Sequence, residues 1–256
     1  MPQTLALPPP GSAAAGVTLV GVGPGDPELL TLAALRALSA AHTVAYPLAA
    51  GSEPPGMAAR IAAPWLHPEQ RRLPLPLPMG EGAGPQRQAW HAAADRLAEA
   101  VAAGQAVALL CEGDVSLFAT GSYLLLALRR RHPDCPVRLI PGITAVAAAA
   151  AAGQWPLALQ QESLLIRPCP DTPQACEALL DQASSADWVL ALLKLGRRWS
   201  WVRPLLERRG LLEQALFARR VGWPDQRLAP AGQVAGEAMP YFSLLLIRQG
   251  WPALLP

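Results

Sequence analysis

The chain has 256 residues, enough for one large domain or two of modest size. Hydrophobic residues make up 52% of it and aromatic residues only 5%, so Leu and Ala must supply most of the core. A formal net charge of +2 provides no field of the kind that binds nucleic acid, and no apolar run reaches the ~20 residues of a membrane span. The four scattered cysteines do not follow a secreted disulfide pattern. The composition therefore favours a globular cytoplasmic protein that binds neither nucleic acid nor a membrane.

The first half of the chain alternates between strand and helix patterns. Residues 1–15 are rich in Pro, Ala and Gly without periodicity, which predicts a disordered leader. Apolar runs predict strands over 17–22, 43–47, 71–75, 106–114 and 137–142. Helical patterns lie between them, over 28–40, 57–64, 86–103 and 118–131. The alternation predicts an N-terminal α/β domain over residues 16–138, with a largely parallel sheet.

The second half has a different order of elements. Strands are predicted over 163–168, 188–194, 215–221 and 241–248. Helices are predicted after Pro141 and near 173–183 and 200–210. No helix separates the last two strands, which favours a mixed sheet in a C-terminal α/β domain over residues 139–256. A cleft between the two domains is then the expected ligand site.

The first motif is GVGPGDPELLT, which spans Gly21–Thr31 where the first strand meets the first helix. Its glycines allow a ligand to approach the backbone closely. Asp26 before Pro27 is also typical of a helix N-terminus, so these residues have a purely structural interpretation as well. A dinucleotide site is disfavoured, because Asp26 would place a carboxylate beside the phosphates and the second strand ends in Tyr46-Pro47 without the acidic residue that binds a ribose.

Two further motifs follow predicted strands. In CEGDVSLFATGSY, Glu112 and Asp114 leave a buried strand at its carboxyl end, which is the edge where α/β sheets bind ligands. Gly113 between them lets a ligand contact the backbone. Asp114 could instead cap the next helix. The third motif, PGITA, spans Pro141–Ala145 after the fifth strand.

In this order and spacing, the three motifs resemble the tetrapyrrole (corrin/porphyrin) methylase family over about residues 17–250. The segments LLKLG at 192–196 and YFSLLLIRQ at 241–249 are similar to the branch that methylates C20 of precorrin-2. The resemblance implies a class III methyltransferase fold, in which two α/β domains form a cofactor cleft between them. It also implies a homodimer, S-adenosylmethionine as the methyl donor and a tetrapyrrole as the substrate.

The resemblance further implies which residues contact the cofactor. These are Pro24, Glu112, Gly113, Asp114, Leu117, Thr144, Ala145 and Leu195. Removal of the C20 proton requires a base, for which Asp114 and Asp26 are the candidates. The acidic side chains of the substrate favour arginines that bind carboxylates in bidentate fashion, and Arg60, Arg197 and Arg198 lie near predicted strand ends or loops.

Several alternatives stay open. Another tetrapyrrole methyltransferase, of the uroporphyrinogen-III or precorrin-4 type, would share the cofactor site. A non-catalytic homologue would bind the cofactor without turnover, and a dinucleotide-dependent oxidoreductase would need the missing ribose acid. No metal site is predicted, because the four histidines are scattered and form no ligand pair with the cysteines. Metal-free and cobalt-containing forms of the substrate are both compatible with the sequence.

Overall fold

The computed structural model describes residues 7–49, 51–78 and 83–250. The chain divides into two compact units, Met1–Thr144 and Ala145–Pro256, and each has its own sheet. The sequence pattern places the domain limit at 138/139, inside the strand Val137–Ile140. That strand pairs along its whole length with the first strand and belongs to the first unit.

The first unit is built around a five-stranded parallel sheet. Its strands are β1 (Gly16–Gly21), β2 (Thr43–Ala49), β3 (Arg71–Leu77), β4 (Ala106–Cys111) and β5 (Val137–Ile140). They pair in the order β3-β2-β4-β1-β5, and every pairing is parallel. β4 lies in the centre and all of its residues are buried, because both faces of a parallel sheet are covered by helices.

Among the described residues of this unit, four α-helices cover the sheet. They are α1 (Leu32–Ala40), α2 (Met57–Ala62), α3 (Ala83–Ala102) and α4 (Thr120–Arg131). Helices α3 and α4 pack with Leu19 of β1 and Leu109 of β4 in one apolar cluster. Helices α1 and α2 contact the sheet too, but none of their described residues joins that cluster, so they cover the opposite face.

The first helix begins later than predicted. Asp26 caps a short 3-10 helix, Pro27–Leu29, by accepting a hydrogen bond from a backbone N–H. Helix α1 begins separately, with Thr31 Oγ1 accepting a hydrogen bond of 3.1 Å from the N–H of Ala34. The prediction of one helix over 28–40 was wrong in its first turn, because Thr31 is a second N-cap and starts a separate helix.

The segment before β1 differs from the disordered leader predicted over residues 1–15. The N–H of Ala13 donates to the carbonyl of Ala40 at 3.2 Å, and Ser39 Oγ donates to the carbonyl of Pro8. Carbonyl groups in the last turn of a helix lack partners within the helix, so Ala40 can accept this bond. Residues from Pro8 to Ala13 are thereby held against α1, and the first six residues of the chain lie outside the described part.

The second unit contains a mixed sheet. Its strands are β6 (Ser163–Pro168), β7 (Trp188–Leu193), β8 (Ala215–Arg219), β9 (Arg227–Pro230) and β10 (Ser243–Ile247). They pair in the order β6-β7-β10-β8-β9, with β6 and β7 parallel and the other pairs antiparallel. The sequence pattern missed β9, because this short and partly buried strand has no apolar run.

Up to residue 250, where the described part ends, the second unit also contains three α-helices. They are α5 (Ala145–Ala152), α6 (Pro173–Ser185) and α7 (Trp199–Arg208). Helices α6 and α7 enclose a core in which Trp199, Leu190 and Phe217 are fully buried. Helix α5 contacts β10. After β7, the chain turns through a 3-10 helix, Gly196–Arg198, before α7 begins.

Candidate functional site

The three motifs meet at the carboxyl ends of adjacent strands β4, β1 and β5. The first two are joined through their backbones, because Gly23 and Gly113 form an antiparallel bridge. The N–H of Gly113 donates to the carbonyl of Gly23 at 2.8 Å, and the N–H of Gly23 donates to the carbonyl of Gly113 at 3.2 Å. The sequence therefore placed these loops on the correct edge of the sheet.

Asp114 joins the second motif to the third. One of its carboxylate oxygens accepts the N–H of Gly142 at 2.9 Å, and the other accepts the N–H of Ser116 at 2.8 Å. Partial burial opposes the charged form, but these hydrogen bonds outweigh it and hold the pKa of Asp114 below its usual value. Asp114 does not cap α4, whose N-cap is Ala119. It fixes the position of the neighbouring loop.

Glycine is required where the loops approach each other. A Cβ atom on Gly21 would lie 2.5 Å from the backbone nitrogen of Gly142 and 2.9 Å from the carbonyl oxygen of Gly113. A Cβ atom on Gly142 would overlap the same carbonyl oxygen. Gly113 has a φ of +66°, in the left-handed region that favours glycine. At these three glycines the strand ends consequently present backbone groups alone, and the Asp114 carboxylate bridges two of the loops.

Glu112 differs from the other carboxylates of these loops. It is an exposed residue, and its carboxyl group accepts no hydrogen bond from any described residue. Nearby protein nevertheless displaces much of the surrounding water, and this desolvation raises the pKa of Glu112 from 4.5 to about 7. Asp26, by comparison, accepts the N–H of Glu28 at 2.8 Å as the cap of its 3-10 helix.

The remaining predicted cofactor contacts fall in both units. Pro24 lies in the loop joined to Gly113, and Thr144 is two residues beyond Gly142, so both belong to the assembled edge of the first sheet. Ala145 is the first residue of α5 in the second unit. Leu195, also in that unit, has a fully buried side chain in the core, so only its backbone can contact a ligand. Leu117 is half-buried in the turn between β4 and α4.

The three arginines predicted to bind substrate have different surroundings. Arg60 is exposed on α2, and its Nε donates to the carbonyl of Pro55 at 3.1 Å. Arg197 is exposed in the 3-10 helix after β7. Arg198 forms an ion pair with Asp171, which occupies the guanidinium group.

The site has no reactive thiol at Cys111, and residues 7–49, 51–78 and 83–250 contain no metal cluster. Cys111 lies beside the second motif, and burial raises the pKa of its thiol to about 12, so it is not a nucleophile at neutral pH. No group of three or more His, Cys, Asp or Glu residues in these ranges could hold a metal ion. No helix there is long and apolar enough to cross a membrane.

The family model of the tetrapyrrole (corrin/porphyrin) methylases matches residues 16–235. The chain belongs to this family, as its three motifs predict. It is 35% identical over 243 residues to a Sinorhizobium protein described as precorrin-2 C(20)-methyltransferase. The alignment covers 91% of this chain and 94% of that protein. It is 30% identical over 236 residues to the cobalt-precorrin-2 C(20)-methyltransferase of Salmonella typhimurium, covering 91% and 95%.

A longer relative and two solved structures complete the comparison. The chain is 36% identical to the cobalamin biosynthesis protein CobIJ of Mycobacterium tuberculosis, over 90% of its own length but only 45% of that protein. The structure of the cobalt precorrin-4 methyltransferase CbiF matches with a TM-score of 0.67 and 22% identity, covering 95% of this chain and 98% of the other. Uroporphyrin-III C-methyl transferase from Thermus thermophilus, complexed with S-adenyl homocysteine, matches with a TM-score of 0.60 and 26% identity, covering 91% and 97%. The predicted fold class is confirmed.

Proposed function

We propose that this chain is an S-adenosylmethionine-dependent methyltransferase that methylates C20 of precorrin-2 in cobalamin biosynthesis. The observation that carries the proposal is the match to the Sinorhizobium precorrin-2 C(20)-methyltransferase over nearly the full length of both proteins. The Salmonella relative is named for the cobalt-containing substrate. Metal-free and cobalt-containing precorrin-2 are therefore both candidate acceptors.

The edge formed by β4, β1 and β5 suits a ligand bound mainly by backbone contacts. Gly21, Gly113 and Gly142 let three loops approach closely and carry no side chain of their own, so a cofactor can lie against the main chain there. S-adenosylmethionine supplies an electrophilic methyl group on a sulfonium. The Thermus relative was crystallised with S-adenyl homocysteine, which supports this assignment. The proposed contacts are Pro24, Glu112, Gly113, Asp114, Leu117, Thr144, Ala145 and the Leu195 backbone.

The contribution of the protein to methyl transfer is mainly positioning. The donor sulfur, the methyl group and the accepting carbon must lie in line, and such orientation lowers a barrier by up to ~7–11 kcal/mol. The bond between Asp114 and Gly142 and the bridge between Gly23 and Gly113 make the three loops one rigid unit. We assign Asp114 as a positioning residue that holds these loops in register.

Glu112 is our proposed acceptor of the C20 proton. After the methyl group bonds to C20, that carbon must lose its proton, and the bonding electrons return to the tetrapyrrole. Asp114 and Asp26 were the candidates from sequence, but both already accept backbone N–H groups. The Glu112 carboxyl is accessible, accepts no hydrogen bond from a described residue and has a pKa matched to neutral pH.

Three further features are part of the proposal. Arg60 and Arg197 are exposed and are assigned to the substrate carboxylates, whereas Arg198 is held by Asp171. We propose a homodimer, on the resemblance to the family. We also propose a cytoplasmic location, which four free cysteines support because thiols stay reduced there.

Product analysis tests the function. The purified protein would be incubated without oxygen with S-adenosylmethionine and, in parallel, precorrin-2, cobalt-precorrin-2 or uroporphyrinogen III. Mass spectrometry would count the new methyl groups and NMR would locate them. One methyl group at C20 of either precorrin-2 form is the expected result. Methylation of uroporphyrinogen III alone would assign the chain to that type instead, and cofactor binding without any methylated product would indicate a non-catalytic homologue.

A further inference from the structure

Aromatic and basic side chains gather at one edge of the second sheet. Strand β10 pairs with both β7 and β8, with Leu244 opposite Leu193 and Ser243 opposite Arg219. The residues that follow β7, the end of β8 and the residues that precede β10 therefore lie together. We call this cluster the aromatic–basic edge, and its members are Lys194, Arg197, Arg219, Tyr241 and Phe242.

Two neighbouring aromatic rings of this edge are open to solvent. Tyr241 is 47% exposed and Phe242 is 42% exposed. Their ring centroids are 5.3 Å apart and the rings are nearly perpendicular, at 88°. Adjacent exposed rings create an apolar surface that a soluble protein normally buries or uses for binding. Aromatic rings also present a flat, rigid contact surface at small entropic cost.

The edge is positively charged. Lys194 Nζ lies 5.7 Å from the centroid of the Tyr241 ring. Arg219 Nε is buried and has no hydrogen-bond partner among the described residues. Arg197 and Arg219 form no ion pair with any described residue, in contrast to two neighbouring arginines that do. Those two pairs are Arg198 with Asp171 and Arg220 with Asp225. Asp171 and Asp225 are thus paired with Arg198 and Arg220, and Arg219 donates only a 3.4 Å hydrogen bond to the backbone carbonyl of Asp225. Arg197 and Arg219 therefore keep a net positive charge at this edge.

Hydrogen bonds fix the loops that carry the rings. Ser243 accepts the N–H of Leu195 at its carbonyl oxygen, 3.0 Å away, and its hydroxyl donates to the carbonyl of Pro240 at 2.7 Å. The N–H of Met239 donates to the carbonyl of Gly196 at 3.1 Å. These bonds tie the loop after β7 to the loop before β10. Tyr241 and Phe242 are therefore held in place by their backbone while their rings stay exposed, which is the arrangement expected of a preorganised binding surface.

We propose that the aromatic–basic edge binds the tetrapyrrole. The perpendicular rings of Tyr241 and Phe242 contact the macrocycle, one with its face and the other with its edge, and the cations of Lys194, Arg197 and Arg219 bind its carboxylates. The identity of the ligand rests on the proposed function. Charge and shape both favour this occupant, because a tetrapyrrole with acetate and propionate groups combines a flat conjugated face with a rim of negative charge. The edge lies within the second unit and uses none of the three glycine-containing loops of the first sheet. It adjoins one proposed contact of the methyl donor, the Leu195 backbone, which lies between Lys194 and Arg197.

Binding of uroporphyrin III, a stable carboxylated tetrapyrrole, tests the proposal without requiring turnover. The full-length protein would be titrated while its tryptophan fluorescence is followed. The double variant Tyr241→Ala/Phe242→Ala is expected to bind about tenfold more weakly, a loss of about 1.4 kcal/mol. Lys194→Gln combined with Arg197→Gln should weaken binding by a similar factor, and this loss should shrink at high salt.

Matched controls separate this surface from general effects. Leu126→Ala removes another exposed apolar side chain, 62% exposed on α4, and should leave uroporphyrin affinity unchanged. Tyr241→Leu/Phe242→Leu keeps apolar bulk without the rings and should also bind weakly, and near-ultraviolet circular dichroism checks its folding. S-adenosylhomocysteine affinity should be unchanged in Leu126→Ala and in the Tyr241/Phe242 variants, because none of these residues is among the proposed cofactor contacts.

Two results would overturn the inference. One is unchanged uroporphyrin affinity in the folded double variants. The other is a change of oligomeric state by light scattering with tetrapyrrole affinity retained, which would make the edge an interface between copies of this chain. The two proposals fail separately. Binding at this edge without any methylated product would refute only the function, whereas C20 methylation with full affinity in Tyr241→Ala/Phe242→Ala would refute only the edge.

Discussion

The carboxylate of Asp114 and the backbone N–H of Gly142 lie 2.9 Å apart and form a hydrogen bond between two loops that are far apart in sequence. The bond joins the chain after β4 to the chain after β5, although the sheet places β1 between those strands. It can span this distance only because Gly21 and Gly142 carry no side chain. The geometry of the proposed cofactor site thus depends on one carboxylate and two glycines.

Replacing Asp114 should loosen the site. We expect Asp114→Ala to lower the free energy of unfolding by about 1–3 kcal/mol, because charged hydrogen bonds to Gly142 and Ser116 are lost together. Urea unfolding would measure the change, and calorimetric titration should show weaker binding of S-adenosylhomocysteine. Ser116→Ala is the control, since it keeps the bond to Gly142. Equal cofactor affinity in both variants would contradict the positioning role.

The close approach of the loops predicts a specific effect of an added methyl group. In Gly142→Ala the new Cβ would overlap the carbonyl oxygen of Gly113, so the loops must separate, at a cost of about 1–3 kcal/mol. Gly104→Ala is the matched control, because Gly104 has a φ of +80° but open space around it. That variant should cost about 1–2 kcal/mol in backbone strain and keep full S-adenosylhomocysteine affinity. Retained affinity in Gly142→Ala would show that the cofactor does not use this junction.

The raised pKa of Glu112 predicts a pH dependence with a definite sign. Folding favours the neutral carboxyl, so the wild-type protein loses stability relative to Glu112→Gln as pH rises from about 4.5 to about 7. The free energy of unfolding of Glu112→Gln minus that of the wild-type protein should therefore be larger at about pH 8 than at about pH 5. A difference that is independent of pH would show that the group titrates normally.

The same residue can be tested in turnover. If Glu112 accepts the C20 proton, the rate of methylation should rise as the carboxyl ionises near its pKa of about 7, and Glu112→Gln should lose about 10²–10⁴-fold in kcat. Glu112→Asp keeps a carboxylate and should recover part of the rate. Full kcat in Glu112→Gln at saturating S-adenosylmethionine would transfer the role to solvent or to another group.

A buried ion pair should dominate the electrostatic stability of the second unit. The Arg248 side chain is 1% exposed and pairs with Glu162, which is 15% exposed. Glu162→Ala removes the carboxylate that neutralises the buried Arg248 guanidinium and should cost about 3–5 kcal/mol in urea unfolding. Asp181→Ala, in the more exposed pair with Arg209, should cost at most about 1 kcal/mol. Comparable losses in the two variants would mean that water reaches Arg248.

The Glu162 pair also predicts acid sensitivity. The hydrogen bond from Arg248 lowers the pKa of Glu162 below its usual 4.5. The resulting stabilisation is present above that value and is lost as the pH falls and the carboxylate becomes protonated. Unfolding free energy measured through this range should fall more steeply for the wild-type protein than for Glu162→Ala.

Much of the fold follows from local sequence patterns. The continuous apolar run of β4 indicated a strand covered on both faces, and all of its residues are buried. The glycines around Gly23 and Gly113 indicated loops at strand ends, where they are. By contrast, β9 has no hydrophobic pattern of its own and exists because β8 offers it a pairing edge. The sequence pattern placed Thr31 inside a helix that begins after Asp26. In the structure both residues are N-caps, and packing decides that α1 begins at the second of them.

The sequence by itself determined the family, through the resemblance of its three motifs. It also determined the α/β class and the strand ends that carry the candidate site, because these depend on hydrophobic period and on glycines between strand and helix. Only the tertiary structure distinguished Glu112 from Asp114, which stand two residues apart on the same loop. The Asp114 carboxylate accepts a hydrogen bond from the N–H of Gly142, 28 residues away in sequence. The Glu112 carboxyl group stays accessible, and desolvation raises its pKa. Hydrogen-bond partners and desolvation are set by residues distant in sequence, so no local pattern can assign them.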